Sequence, residues 1–154
     1  MKRLDIGQSI AILANLGVIV GIVFLAFEIT QNNDLLREQV RSGIVSEVGS
    51  LNAALYENAG GIGSIVFRTR DGEDLTAEEA YRLRRYQAQN LVLWQSAYSS
   101  FLDGMIEQED LLPRATAVMF HQVIPGMPEM YEEVREYLNP RFAQWMDENI
   151  VPQD

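Results

Sequence analysis

Histidine and cysteine are the side chains that most often bind metals or act as nucleophiles, and this sequence has one histidine and no cysteine. A metal or haem ligand on a helix usually has partners at Glu-x-x-His or His-x-x-x-His spacing, and His121 has neither. The absence of thiols excludes disulfides, thiolate catalysis and cysteine-ligated zinc or iron–sulfur centres. We therefore interpret His121 as a packing or surface residue, and we expect neither a metal site nor a cofactor.

Charged residues form three clusters at helical spacing, two acidic and one basic. Acidic clusters offer the oxygen ligands that hard cations prefer, and a basic cluster could bind an anion. The members are Glu129, Glu132, Glu133 and Glu136; Glu107, Glu109 and Asp110; and Arg82, Arg84 and Arg85. Like charges on a short helix usually form a solvated or self-paired face, and we interpret all three clusters in that way.

The sequence contains no recognisable catalytic motif. We find no Ser–His–Asp arrangement, no glycine loop that would hold a phosphate, and no general acid–base pair that can be located. Aromatic residues could form a binding surface, but at helical spacing they are more often part of a core. They are Trp94, Tyr98, Tyr131, Tyr137 and Trp145. We therefore expect a protein without enzymatic activity.

The most informative element is an apolar run over residues 10–27, which has no charge and one polar side chain, Asn15. A helix of this length extends for roughly 27 Å, close to the hydrocarbon thickness of a bilayer. Its Ile, Leu, Val and Phe residues favour insertion by about 4 to 7 kcal/mol. The run therefore predicts a membrane anchor.

Two other interpretations of the run are a signal peptide and a buried core helix. Lys2 and Arg3 would suit a signal peptide, but the run is too long and lacks a small-residue cleavage site. A helix that is apolar on every side needs protein all round it, and the remaining chain is too short to enclose it and also form a core. A retained anchor is the better interpretation.

Small residues recur along one side of the predicted anchor and suggest a place where another helix packs. In lipid, small residues let two backbones approach closely, and this packing is a main cause of helix association. We call Gly7, Ala11, Ala14, Gly17 and Gly21 the small-residue face. Asn15 could add a hydrogen bond between helices, and Glu28 projects to the same side at the edge of the headgroup region. We predict a helix-packing interface formed by these seven residues.

The rest of the chain shows helical periodicity and no strand alternation. The anchor helix is expected to continue through a stripe from Leu36 to Leu55. A capping box at Thr76 and Glu79 opens a central helix, which is expected to face inward at Leu83, Leu91, Trp94, Tyr98 and Phe101, with Val92 and Leu93 widening that face. The next helix is expected to face inward at Leu111, Leu112, Ala115, Val118 and Met119. Asn139 followed by Pro140 opens the last helix. The predicted helices are 9–57, 62–69, 76–103, 108–123, 128–138 and 140–150. We expect an all-α fold: one N-terminal transmembrane helix that continues into a small soluble helical bundle.

This organisation predicts a short tail at 1–8, a transmembrane helix at 9–29 and a soluble helical domain at 30–154. The net charge of −10 makes binding to nucleic acid through bulk electrostatics unfavourable. The expected partners are the lipid bilayer and other membrane-protein helices, in a hetero-complex or a homo-oligomer.

The stretch Gly17-Val-Ile-Val-Gly-Ile-Val-Phe-Leu-Ala-Phe-Glu-Ile-Thr-Gln-Asn-Asn33 resembles a widespread group of uncharacterised bacterial single-span membrane proteins. In that group a Gly-rich span ends in Glu/Gln-Ile-Arg-Gln-Asn-Thr and precedes an all-helical domain. Thr30 and Asn33 depart from this pattern. The helix starts at Leu75-Thr76-Ala77-Glu78-Glu79 and Asn139-Pro140-Arg141-Phe142 are also similar. The resemblance implies single-pass topology and supplies no activity.

We expect a non-catalytic accessory or structural subunit of a larger bacterial membrane complex, whether photosynthetic, respiratory or for transport. The alternatives are a membrane-anchored sensory or regulatory protein that signals through the long helix, and a membrane-tethered enzyme. The predicted location is the inner (cytoplasmic) membrane. Lys2 and Arg3 lie closer to the span than Arg37 and Arg41, which favours a cytoplasmic N-terminus and a periplasmic soluble domain.

Overall fold

A computed structural model describes residues 6–56, 61–111 and 113–151 of the chain. In those residues all regular structure is helical, which confirms the all-α prediction. The α-helices are α1 (Ile6–Leu55), α2 (Ile62–Arg70), α3 (Ala77–Leu102), α4 (Pro113–Val118), α5 (Met127–Val134) and α6 (Pro140–Asn149). Short 3₁₀ segments occupy Gln108–Leu111 and Arg135–Tyr137, and a π-helical turn occupies Met119–Val123.

The chain divides into two compact units, Met1–Gln39 and Val40–Asp154. In the described part of the first unit, every residue belongs to α1 and is exposed. Residues 6–8 of the predicted tail are helical, and residues 1–5 lie outside the described part. The predicted limits of the transmembrane helix, 9–29, remain a prediction. Helix α1 continues without a break past both limits, so its backbone conformation does not show where a membrane would begin or end.

The second unit has its own hydrophobic core, to which the last part of α1 contributes one face. Val40, Ile44, Leu51 and Leu55 are partly buried against the core, as the stripe predicts, whereas Leu36 at the start of the predicted stripe is exposed. The fully buried centre is formed by large side chains from α2, the π-helical turn, α5 and α6, and by Ile124. They are Tyr131, Phe120, Phe142, Ile65, Ile124, Met127 and Met146.

Helix α3 is the central helix that the sequence predicts, and its start confirms the capping box. The Thr76 hydroxyl accepts from the Glu79 backbone N–H at 3.3 Å, and the Glu79 carboxylate accepts from the Thr76 backbone N–H at 2.9 Å. Leu91 and Leu93 are buried, but Val92, which was expected to widen the same face, is 63 % exposed. The buried face of α3 is therefore narrower than predicted at that point.

The segment after α3 is less regular than the single helix predicted over 108–123. Leu111 ends the 3₁₀ segment and is buried, and Met119, where the π-helical turn begins, is partly buried. Leu112 lies outside the described residues. Pro113 begins α4, where its missing N–H costs nothing because a first-turn donor has no helical acceptor.

These changes of helical type correct the predicted inward face of the segment. Ala115 and Val118 were expected to face the core, yet both are exposed. Thr116 and Phe120 are buried instead. The 3₁₀, α and π forms advance by different angles per residue, so a face extrapolated at 3.6 residues per turn drifts away from the core.

The helix break between the π-helical turn and α5, near Pro125, is held by the buried side-chain amide of Gln87. Gln87 in α3 is 6 % exposed, and its Nε2 donates to the Pro125 carbonyl oxygen at 2.6 Å. Gly126 has φ +69°, a left-handed conformation that disfavours residues with a Cβ. The turn and the amide together set where α5 begins against α3.

The start of α2 depends on a glycine that the sequence did not single out. An ideal Cβ on Gly63 would lie 1.8 Å from the Leu55 carbonyl oxygen at the end of α1. No rotamer change can relieve this contact, because the obstructing atom belongs to the backbone. Only glycine lets these two helix ends approach so closely.

Gly63→Ala is therefore expected to destabilise the second unit by about 1–3 kcal/mol, the usual cost of overpacking, or more because backbone must move. Gly43→Ala is the matched control, because a Cβ on Gly43 of α1 would meet no atom within 4 Å. That change should stabilise the helix by about 0.5–1 kcal/mol. The measurement is urea unfolding of the full chain in detergent, followed by tryptophan fluorescence. Equal midpoints for the two variants would contradict the close approach.

Candidate functional site

The predicted helix-packing interface lies on the exposed surface of the first unit. All seven residues, from Gly7 to Glu28, are exposed positions of α1. A Cβ built on Gly7, Gly17 or Gly21 would meet no atom within 4 Å, so these glycines form an open shallow surface. The helix brings the small residues to one side as their spacing requires, and their contact with another helix stays a prediction.

The remainder of that surface is formed by large apolar side chains on all sides of α1. Ile10, Leu13, Val20 and Phe24 are each more than 60 % exposed, although all four lie within the apolar run. The most apolar 18-residue window of α1 has a mean hydropathy of 2.7, and none of it is buried. Among the described residues, α1 is the one helix long and apolar enough to cross a membrane. By length and composition, this exposed helix is suited to contact with lipid or with partner helices.

A second candidate site, absent from the sequence predictions, is a cavity of about 410 Å³ inside the second unit. Its walls come from the last part of α1, the middle of α3, and the segment from the 3₁₀ turn to the π-helical turn. The apolar lining residues are Ile44, Val48, Leu51, Leu93, Trp94, Ala97, Leu111, Ala115, Val118 and Met119. Asn52, Asn90, Asp110, Arg114 and Thr116 supply the polar lining.

At least one member of each charged cluster takes part in an ion pair: Glu133 and Asp110 from the acidic clusters, and Arg84 from the basic one. Arg84 and Glu133 form an ion pair between α3 and α5, and the Arg84 guanidinium lowers the pKa of Glu133. Asp110 pairs with Arg41 at 2.9 Å. In the ranges that the structure describes, no group of three His, Asp or Glu residues is placed to hold a metal ion.

His121 is tied to the backbone at the end of α6. Its Nε2 lies 2.7 Å from the Ile150 carbonyl oxygen, so this nitrogen carries the hydrogen and donates. The ring also meets Phe120 edge-on, with 4.8 Å between ring centroids. His121 is an exposed residue with these two contacts, which agrees with its interpretation as a packing or surface residue.

Four of the five aromatic residues singled out from the sequence pack into the core. Tyr131 is fully buried and Tyr98 is 9 % exposed, whereas Trp94 and Trp145 are partly buried. Tyr137 is 80 % exposed and is the exception. The aromatic residues therefore form a core cluster rather than a continuous external surface.

A polar network joins α5, the following 3₁₀ segment and α6, and of its three side chains only that of Tyr131 is fully buried. The Tyr131 hydroxyl donates to the Asp147 carboxylate at 2.7 Å, and Arg135 pairs with the same carboxylate. The Arg135 hydrogen bond is the largest of the effects that lower the pKa of Asp147. Burial raises the pKa of Tyr131 and keeps its hydroxyl protonated as a donor. The network is satisfied internally, which indicates a structural role.

The chain matches no family model, and comparison with curated proteins and with solved structures gives no significant match. The resemblance noted from the sequence is therefore supported at the level of architecture only: a long apolar N-terminal helix followed by a small helical domain.

Proposed function

We propose that the chain is a single-pass protein of the bacterial inner membrane and a non-catalytic accessory or structural subunit of a larger membrane complex. The observation that carries the proposal is the fully exposed apolar surface of α1 in the first unit. A monomeric soluble protein rarely exposes a contiguous apolar patch larger than a few hundred Å². Lipid covers such a surface at no cost, and residues 9–29 would then form the span.

The small-residue face supports a partner helix in addition to lipid. Lipid tails are as apolar as leucine, so hydrophobicity alone does not bring two helices together in a bilayer. Close backbone approach does so, and Gly17 and Gly21 leave room for it. A subunit held in a complex by its span would need such a face.

The polar residues of the second unit support a role without catalysis. His121 is bonded to a backbone carbonyl, and the Tyr131–Asp147–Arg135 network is closed on itself. Catalytic acids and bases are usually found in a cleft with a perturbed pKa. Arg135 and Asp147 do line a surface cleft of about 320 Å³, but there they are paired with each other. Burial raises the pKa of Tyr131, and its hydroxyl is used in hydrogen bonds to the Ala143 carbonyl oxygen and the Asp147 carboxylate.

A sensory or regulatory protein is the second candidate, and the continuity of α1 favours it. This helix is unbroken from Ile6 to Leu55, and its last part packs into the core of the second unit. A shift of a continuous helix is one of the movements by which proteins transmit a signal. The two candidates differ in their partners: a stable hetero-complex for the first and a self-associated pair for the second.

The partner experiment compares Gly21→Leu with wild type. Leucine fills the small-residue face while making the helix more apolar, so insertion should improve as association falls several-fold. Val23→Leu is the matched control, because it lies roughly 160° away around the helix from Gly21 and changes the apolar character little. The measurement is co-purification of membrane partners in mild detergent, with mass spectrometry, at equal membrane content.

Stoichiometric recovery of other membrane subunits, lost in Gly21→Leu and kept in Val23→Leu, would support the accessory-subunit proposal. Recovery of a homodimer alone would support the regulatory alternative. Association that is equal in all three proteins would contradict a role for the small-residue face.

We propose a periplasmic location for the second unit, from the basic residues nearest the span. Lys2 and Arg3 precede residue 9 closely, whereas Arg37 and Arg41 lie further beyond residue 29. Positive charges close to a span favour the cytoplasmic side. Alkaline phosphatase fused after Asp154 should be active, since this enzyme folds only outside the cytoplasm. An inactive fusion, together with an active cytoplasmic reporter at the same position, would reverse the orientation.

A further inference from the structure

The cavity in the second unit combines an apolar lining with two polar side chains that are almost fully buried. Thr116 is 5 % exposed and Asn90 is 3 % exposed, and both line the cavity. Its volume of about 410 Å³ falls within the usual range for small-molecule sites. Such sites are mostly apolar, with a small number of placed polar groups.

The oxygen atoms of these two side chains are not used by the fold. Asn90 Nδ2 donates to the Tyr86 carbonyl oxygen at 2.9 Å, but within the described residues no hydrogen bond reaches its Oδ1 or the Thr116 hydroxyl. Among the described residues, every side-chain nitrogen or oxygen atom that is fully buried has a hydrogen-bond partner. Because these two oxygens have none, neither of them is fully buried. Both oxygens therefore border accessible space, and the cavity that these residues line is where that space lies.

The charges around the cavity favour an uncharged occupant. Asp110 and Arg114 are the charged lining residues, and they have opposite signs. Asp110 is already paired with Arg41. Arg114 is exposed and therefore hydrated. The buried polar lining consists of the uncharged side chains of Asn90 and Thr116, and a carboxylate placed against them would be an unpaired charge beside an apolar wall, which is costly. A hydroxyl can accept from Thr116 and can donate to the Asn90 oxygen, whereas a carbonyl can only accept.

From these observations we propose that the cavity between α1, α3 and the 108–123 segment is a binding site for an uncharged lipophilic alcohol. The apolar body of the ligand lies against Leu93, Trp94 and Met119, and its hydroxyl pairs with Thr116 or Asn90. This proposal is independent of the membrane role of the first unit.

The test uses bromoundecanol, because bromine quenches tryptophan fluorescence only at short range. The chain has two tryptophans, and Trp94 lines the cavity whereas Trp145 does not. Trp145→Phe leaves Trp94 as the sole reporter, and Trp94→Phe leaves Trp145 as the matched control. The full chain is held in a non-aromatic amphipathic polymer, so that no detergent competes for the cavity. We expect saturable quenching of Trp94 and only weak, linear quenching of Trp145.

The role of the hydroxyl is tested in the Trp145→Phe background with Thr116→Val and Thr116→Ser. Thr116→Val removes one hydrogen bond and should weaken bromoundecanol binding about tenfold. Thr116→Ser keeps the hydroxyl and should bind bromoundecanol as tightly as the parent protein. Bromoundecane, which has no hydroxyl, should bind both variants equally, and this also shows that the cavity is intact. Bromoundecanoate should bind more weakly than the alcohol.

Three results would overturn the proposal. Equal or unsaturable quenching of the two tryptophans would mean that the probe only partitions into the polymer. Alcohol binding that is unchanged in Thr116→Val would remove the polar anchor. Tighter binding of bromoundecanoate than of bromoundecanol would show that the site selects an anion.

Discussion

The constraint on which the rest of this structure depends is the exposed apolar surface of α1 in the first unit, which no other part of the described chain covers. Large side chains project from the helix on every side, and none of the described residues from Ile6 to Gln39 is buried. Burial of apolar area contributes about 25 cal/mol per Å², so leaving such a surface in water is strongly unfavourable. Something outside the chain must cover it, and a bilayer of matching thickness does so most simply.

The hydrophobic core of the second unit forms without any contribution from the apolar surface of the first unit. This core is formed within Val40–Asp154, where α1 contributes only the partly buried stripe beginning at Val40. The turns are fixed by local polar contacts, such as the ion pairs of Arg68 with Glu73 and Glu79 between α2 and α3. The Thr76 contacts and Arg68 lower the pKa of Glu79, so this carboxylate stays ionised as the capping group. The apolar surface of the first unit is thereby left for lipid or partner helices.

Local signals in the sequence were sufficient to predict most of the helix limits. The Thr76–Glu79 capping box and the Asn139–Pro140 start are each determined by residues within one helical turn. The buried face of the 108–123 segment was not predictable in this way, because the segment changes from 3₁₀ to α to π form. Its inward residues include Thr116 in α4 and Phe120 in the π-helical turn. The cavity and the Gly63 contact were missed for a different reason. Each depends on how close two different helices come to each other, and the periodicity of residues within one helix carries no information about that distance.

The most direct test of the central claim is whether α1 is shielded in a membrane, and the absence of cysteine makes this test clean. Single cysteines replace Val20, which is 61 % exposed, and Ser42, which is also exposed on α1. Each variant is expressed at full length and treated with a membrane-impermeant maleimide in opened membranes, before and after detergent is added. The account predicts that Ser42→Cys reacts at once and that Val20→Cys reacts only after the detergent. Because the chain itself does not cover Val20, rapid reaction of Val20→Cys without detergent would contradict the claim that lipid or a partner helix covers this surface.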